Sequence, residues 1–229
     1  MVLVELFTSE GCSDCPPADA VLQKLIDTQP VGGAVIVGLG QHVDYWDRLG
    51  WKDRFSSAAL TSRQQAYATR FRSESIYTPQ IVVDGRAELV GSDAGAARRA
   101  IERSLAAPHG TVRLVVDAET AGALVVSVTA SDLPRVARGD RADLVVAITE
   151  GRLQSDVTRG ENKGRVLMHA AVVRYMATIG EAGGPPVRAE VALSPDWQRD
   201  HLNVVAFVQE RHGRGILASA LVALKNVRP

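Results

Sequence analysis

The sequence predicts an α/β domain followed by an all-β, sandwich-like domain. Three observations carry that expectation. Apolar strands alternate with amphipathic helices through the first half of the chain; a Cys-x-x-Cys pair, Cys12 and Cys15, stands where the first strand hands over to the first helix; and beyond Gly110 the helical periodicity gives way to short, evenly spaced strands. The boundary falls at about Pro108 to Gly110, giving residues 1–108 and 109–229 as the two domains.

Val2 to Phe7 is a β-branched, apolar run that reads as a buried strand, and Ala18, Val21, Leu22, Leu25 and Ile26 then mark one helical stripe. Gln29-Pro30 and Gly32-Gly33 end that helix, and Ala34 to Leu39 is a second buried strand. Gln41 to Asp47 with Leu49 to Trp51 mixes polar groups and large rings and reads as a loop. Ser56 or Ser57 can cap a helix running to Phe71, with Leu60, Gln64, Tyr67, Ala68 and Phe71 on one face. Tyr77-Thr78-Pro79 leads into a strand ending at Asp84-Gly85, a hairpin dipeptide, and Ala87 to Val90 returns. Ser92 or Asp93 caps a last helix through Ile101 and Leu105. The resulting order, β-α-β-α-β-β-α with Cys-x-x-Cys at the first junction, is that of the thioredoxin fold. In the second half, residues 111–116, 124–129, 144–149, 166–176, 187–193, 202–208 and 216–224 read as strands of a sandwich.

Composition excludes several function classes. Of the 229 residues, 26 are Lys or Arg and 26 are Asp or Glu, so the formal net charge is zero and nothing argues for nucleic acid or anionic lipid. No apolar run is long enough to span a bilayer. Met1 leads straight into the first strand with no signal-peptide pattern, so the expectation is either a cytoplasmic protein or a chain trimmed to its mature start. The two cysteines are the only ones in the chain, so cysteine usage does not fix the compartment.

Cys12 and Cys15 are the first candidates for chemistry. A helix N-terminus stabilises a thiolate, and the spacing allows Cys12 to attack and Cys15 to resolve. An inert pair and half of a metal site are the alternatives. Glu10 and Asp14 flank the motif and oppose thiolate formation, while Pro16 and Pro17 remove two possible donors. Pro79 is either an ordinary strand-entry proline or, as in thioredoxin-like folds, a cis proline that faces the cysteines with Thr78 beside it; the spacing to the hairpin favours the cis form. His42, Asp44, Tyr45 and Trp46 follow the carboxyl end of the second strand, the edge on which the cysteines also lie: either His42 or Asp44 transfers protons for the thiols or joins them at a metal, or the segment is a packed aromatic loop whose polar tips bond to backbone. Glu5 lies inside an apolar strand. Facing the core, it would have a raised pKa and serve as base for the resolving thiol; facing solvent, it would do nothing. The loop Arg159 to Arg165 reads as a connection between strands, and His169 as a structural histidine.

The segments ELFTSEGCSDCPPAD, HVDYWDRLGWKD, RQQAYATRF, YTPQIVVDG and GENKGRVLMHAAVVR together closely resemble a bacterial family of unknown function within the thioredoxin superfamily. The resemblance covers nearly the whole chain. It implies an α/β thioredoxin-like domain followed by an all-β sandwich-like domain, and a periplasmic or secreted setting. At superfamily level it carries Cys12 and Cys15 onto the redox pair and Pro79 onto the cis proline. Against thioredoxin itself, Ser13-Asp14 replaces Gly-Pro between the cysteines, Glu5 lies one residue further from the first cysteine than the buried acid, and the FTSEGC approach is more like glutaredoxin.

The function expected is thiol–disulfide exchange with a protein or small-molecule thiol or disulfide. Cys12, Cys15 and Pro79 carry it, Thr78, His42, Asp44 and Trp46 frame the substrate, and Glu5 is a possible proton-transfer group. No cofactor beyond the disulfide is expected. The alternatives are a soft-metal protein holding Cu(I) through the cysteines, perhaps with His42, and a non-catalytic adaptor.

Overall fold

The computed structural model describes residues 1–120 and 122–227. In chain order the elements are β1 (Val2–Thr8), α1 (Pro16–Thr28), β2 (Ile36–His42), α2 (Ala58–Phe71), β3 (Gln80–Val83), β4 (Ala87–Val90), α3 (Ala94–Leu105), β5 (Thr111–Thr120), β6 (Ala123–Ser131) and β7 (Ala142–Glu150). There follow β8 (Leu153–Asp156), β9 (Val166–His169), β10 (Val172–Glu181), β11 (Val187–Ala192), β12 (Leu202–Glu210) and β13 (Ile216–Ala223). Up to α3 this is the β-α-β-α-β-β-α order read from the sequence.

The architecture corrects the expected fold class. Thirteen strands against three α-helices among the described residues make the chain mostly β, and its largest sheet is a mixed one of eight strands. It is not an α/β thioredoxin-like domain followed by an all-β sandwich-like domain. The physical reason is that even spacing and turn residues locate strands without saying which neighbours they pair with. The run read as one strand over 166–176 is in fact two, broken at Ala170-Ala171, where Ala171 adopts φ 44°. β9 pairs antiparallel with β8, which the sequence reading missed, while Val172 at the start of β10 is registered in parallel with Gly40 of β2.

The chain divides into two compact units: Val2–Ala106 with Gly151–Val173, and Met1 with Ala107–Glu150 and Arg174–Pro229. In the first, β1 pairs in parallel with β2 and antiparallel with β3, which pairs with β4. Every residue of β1 and β2 is buried, so both faces are covered. Strand alternation then sorts the side chains. Val2, Val4 and Leu6 share a core with Leu22 and Leu25 of α1 and Ala97 and Ile101 of α3, whereas Phe7 packs with Tyr67 of α2. The helices start as their sequences ask: Pro16 and Pro17 occupy the first turn of α1, Ser57 caps α2 by accepting from Ala59 N, and Asp93 caps α3 by accepting from Ala96 N.

Gly40 fixes how residues 151–173 join this unit. Its N–H donates to Ala171 O at 2.8 Å, and a Cβ there would lie 2.2 Å from the Ala170 carbonyl oxygen. Only glycine permits that approach. In the second unit, β5, β6 and β11 form an antiparallel sheet in the order β11-β6-β5, and β7 pairs antiparallel with β12, which pairs with β13. Leu124, Val126 and Val128 share a core with Leu144, Val146, Ile148, Val204, Ala206 and Leu217.

The odd-numbered face of β1 also carries Glu5, fully buried toward α2. Its carboxylate accepts from Arg63 Nε at 2.6 Å and Arg63 NH2 at 2.9 Å, and from Tyr67 and Gln41. Burial alone would raise its pKa; the Arg63 charge and these hydrogen bonds outweigh burial and hold it below 4.5. A carboxyl depressed in this way contributes stability above its unfolded pKa and loses it as pH falls toward the folded value. Glu5→Gln, which removes the buried carboxylate charge facing the Arg63 guanidinium, is therefore expected to destabilise the chain at neutral pH by about 3–5 kcal/mol. Denaturant titrations across pH should show that deficit shrinking as pH drops below 4.5; a deficit constant down to the acid limit would contradict the assignment.

Candidate functional site

The cysteines lie between the end of β1 and the start of α1 and are joined as the disulfide Cys12–Cys15. Cys15 is the N-cap of α1, and its carbonyl accepts from Ala18 N and Asp19 N. Cys12 stands on the preceding turn, where its N–H donates to Ser9 O and its carbonyl accepts from Cys15 N. Both are buried, at 2% and 1% exposure, with Ser13 and Asp14 exposed between them. The exposed attacking thiol expected of Cys12 is thus covered in the disulfide form.

Several sequence candidates converge here. The Thr78-Pro79 peptide bond is cis. Trp46 Nε1 donates to Thr78 Oγ1 at 2.8 Å, and a Cβ on Gly11 would lie 3.1 Å from Trp46 Cβ, so Trp46 reaches from the turn before Cys12 to the cis bond. Pro79 and Ala18 of α1 both close on Gly91, where a Cβ would meet them at 3.1 and 3.0 Å. Asp44 is turned to α2 instead: its carboxylate accepts from Thr61 Oγ1 at 2.6 Å, and its N–H donates to the same oxygen. Glu5 belongs to the Arg63 ion pair, and its pKa moves opposite to the rise that burial alone predicts.

His42 lies in a separate buried cluster. Its Nδ1 donates to Asp53 Oδ2 at 2.6 Å, and Asp53 also accepts from Glu10 N at 2.9 Å and Phe55 N at 2.9 Å. Burial would raise the Asp53 carboxyl, but the His42 ring beside it and these bonds hold it low. Across the ring from His42, at 4.9 Å between centroids, is His169 of β9. His169 Nε2 lies 3.2 Å from Glu10 Oε1, and its Nδ1 lies 3.9 Å from Asp19 Oδ1. Burial alone would lower its pKa; Asp19 and Glu10 on its two sides raise it to about 9. Glu10 is buried, accepts from Trp51 Nε1 at 2.6 Å, and is held below its ordinary pKa despite desolvation, chiefly through His169. Its charge is compensated locally instead of bearing unopposed on the thiols.

Sequence reasoning missed the clamp on the disulfide turn. Asn162, wholly buried in the loop read as a simple connection, donates from Nδ2 to Glu10 O and to Cys12 O, both at 2.9 Å. Its own Oδ1 accepts from Arg165 NH1 at 2.9 Å, and neighbouring Glu161 accepts from Ser13 N at 3.0 Å. The signal was in the sequence: a lone amide in a charged, glycine-bounded loop that lies within one of the segments carrying the family resemblance. His169, Asp19 and Asp53 were missed because their meeting depends on the pairing of β10 with β2.

The chain belongs to the DUF1223 family, a protein family of unknown function, whose model matches residues 3–209. It is similar over its whole length to the crystal structure of a protein from Agrobacterium tumefaciens, with 27% identity, a TM-score of 0.70, and 100% of this chain and 96% of that chain covered. HBP35 of Porphyromonas gingivalis has the same TM-score of 0.70 at 13% identity, with 100% of this chain and 76% of that chain covered, a likeness of fold alone. No curated protein matches the chain.

The clamp makes a quantitative contrast. Asn162→Ala strips the buried Glu10 carbonyl of its donor and leaves the Cys12 carbonyl with Cys15 N alone, at about 1–3 kcal/mol for the orphaned group. Glu161→Ala removes one exposed bond and is expected to stay within about 0.5 kcal/mol of the parent. Urea unfolding of the two variants with the disulfide intact should separate them; equal effects would mean that Asn162 does not hold the turn.

Proposed function

We propose that the chain is a thiol–disulfide oxidoreductase working through Cys12 and Cys15. The observation that carries the reading is the Cys12–Cys15 disulfide at the N-cap of α1. A disulfide closed within one turn at a helix start has both sulfurs in the field of the helix N-terminus, which favours the thiolate needed for exchange. Trp46, Thr78 and Pro79 beside the turn supply a surface for the substrate backbone to dock on.

In the reduced protein, the Cys12 thiolate attacks one sulfur of a substrate disulfide. That S–S bond breaks, and the other substrate sulfur leaves as a thiolate and takes up a proton. Cys15, on losing its own proton, attacks the Cys12 sulfur of the mixed disulfide and releases the second substrate thiol. Two electrons pass from the cysteine pair to the substrate, and the product on the protein is the Cys12–Cys15 disulfide. An external thiol reductant completes the cycle. Cys12 is the attacking residue because it stands on the turn outside the helix, whereas Cys15 is fixed as its cap. Glu5 has no part in these steps, since its carboxylate is engaged by Arg63, Tyr67 and Gln41.

Equilibration in glutathione buffers followed by alkylation tests the reading. The expected result is one reversible two-electron transition at a reducing potential, with Cys12 alkylated first. Cys15→Ser should accumulate a mixed disulfide with glutathione on Cys12, and Cys12→Ser should not. A midpoint near the strongly oxidising value of about −120 mV would reverse the direction of transfer. Thiols that remain inert throughout would refute the function.

A further inference from the structure

The buried cluster around His42 and His169 serves none of the steps above, yet it has the form of a ligand site. Among the described residues, Asp19, His42 and His169 are the one group whose donor atoms converge, all within 4.8 Å of one another. They come from three separate segments, α1, the end of β2 and the end of β9, and their exposures are 5%, 1% and 4%. Two of the donors point into the cluster without a hydrogen-bond partner: His42 Nε2 and Asp19 Oδ1. An unpaired buried acceptor is destabilising, so two facing one another need a reason.

The opposite atom of each residue is already held. His42 Nδ1 donates to Asp53 Oδ2 at 2.6 Å, which assigns the ring proton to Nδ1 and leaves Nε2 with a free lone pair. Asp19 Oδ2 accepts from Thr8 Oγ1 at 2.7 Å, leaving Oδ1 free. His169 Nε2 is engaged by Glu10 at 3.2 Å and Ser155 Oγ at 3.3 Å, which turns Nδ1 toward Asp19 Oδ1 at 3.9 Å. That separation is too long for a hydrogen bond and suits two ligands of one ion. An imidazole whose far nitrogen is fixed by a carboxylate is the arrangement by which proteins orient metal-binding histidines. Three carboxylates, Asp19, Asp53 and Glu10, are buried around the two rings, and a cation among them offsets that charge.

We propose that Asp19, His42 and His169 bind a divalent transition-metal ion of the zinc class, through Asp19 Oδ1, His42 Nε2 and, with release of its proton to solvent, His169 Nδ1. Two imidazoles and one carboxylate are borderline donors that favour Zn²⁺ over Ca²⁺ or Mg²⁺, which take oxygen alone, and over Cu(I), which takes thiolates. An open cleft of about 720 Å³, lined by Asp19 and His169 together with Gln23, Lys24, Arg152 and Met168, gives the ion a path in. The ion ties α1, β2 and residues 151–173 together and leaves the cysteines free for exchange. It is independent of the disulfide chemistry.

The experiment uses the full chain, freed of metal by chelator and kept oxidised, so that the disulfide withholds both sulfurs from the metal. Zn²⁺ titration against a competing chelator should give one ion per chain, with a rise in Tm, and Co²⁺ should give the visible absorption of a low-coordinate N/O site. Asp19→Asn, which keeps the Thr8 bond, and His169→Gln should each weaken Zn²⁺ binding by about 100-fold or more, and Asp53→Asn by about 10–100-fold. Melting of each metal-free variant separates lost ligation from lost fold, and the Co²⁺ spectrum of the parent protein tests the site with no variant at all. Failure of the oxidised parent to bind Zn²⁺, or unchanged affinity in Asp19→Asn and His169→Gln, overturns the proposal. Binding that survives those changes and disappears in Cys12→Ser/Cys15→Ser also overturns it.

Discussion

The closest constraint in the first unit is the contact between Gly40 and the carbonyl of Ala170, where no side chain fits. Everything that distinguishes the site depends on it. Because residue 40 is glycine, the chain at 170–172 can run along β2, and the residues before it return to the disulfide. Asn162 then meets the carbonyls of Glu10 and Cys12, and His169 meets the ring of His42. A methyl group at position 40 would act on the disulfide turn and the histidine cluster at once, although Gly40 touches neither.

The two faces of β1 and β2 are put to different uses. One is an apolar core with α1 and α3. The other carries polar groups that are buried only because each has a partner from another segment: Glu5 with Arg63 and Tyr67 of α2, and Gln41 with Glu5. Ionised groups in such a place stabilise little against an apolar alternative, but they penalise wrong packing heavily, since any misplacement leaves a charge unpaired. The polar face therefore specifies position more than it adds stability, which is what two arrays of functional groups on one scaffold require.

Legibility of the sequence follows the range of the interactions involved. The first seven elements were readable because a helix stripe, a cap such as Ser57 or Asp93 and a turn such as Asp84-Gly85 are local. So was the handover at Cys12 and Cys15, and the cis bond before Pro79. The fold class was not readable, because the break at Ala170-Ala171 and the pairing of Val172 with Gly40 join residues far apart in sequence. The same reason hid the role of Glu5, since alternation places it on a face but cannot announce Arg63 opposite. His169 read as a structural histidine on its own; its meaning comes from Asp19, Glu10 and His42, which no spacing along the chain brings together.

For the proposed exchange chemistry, the clamp on the turn also bears on the direction of electron flow. Glu10 N is fixed on Asp53, the Glu10 carboxylate on Trp51 and the carbonyls of Glu10 and Cys12 on Asn162. On the other side, Cys15 is fixed as the cap of α1. The backbone carrying each sulfur is thus held by contacts that do not involve the disulfide, so reduction need not let the two residues drift apart. A dithiol held in place has a high effective concentration of one thiol at the other, and closing the ring costs it little entropy. Preorganisation of this kind favours the disulfide over the dithiol, and a pair that favours its disulfide passes electrons outward. The acidic residues next to the motif do not oppose this, since the Glu10 charge is compensated by its own partners and Asp14 faces solvent.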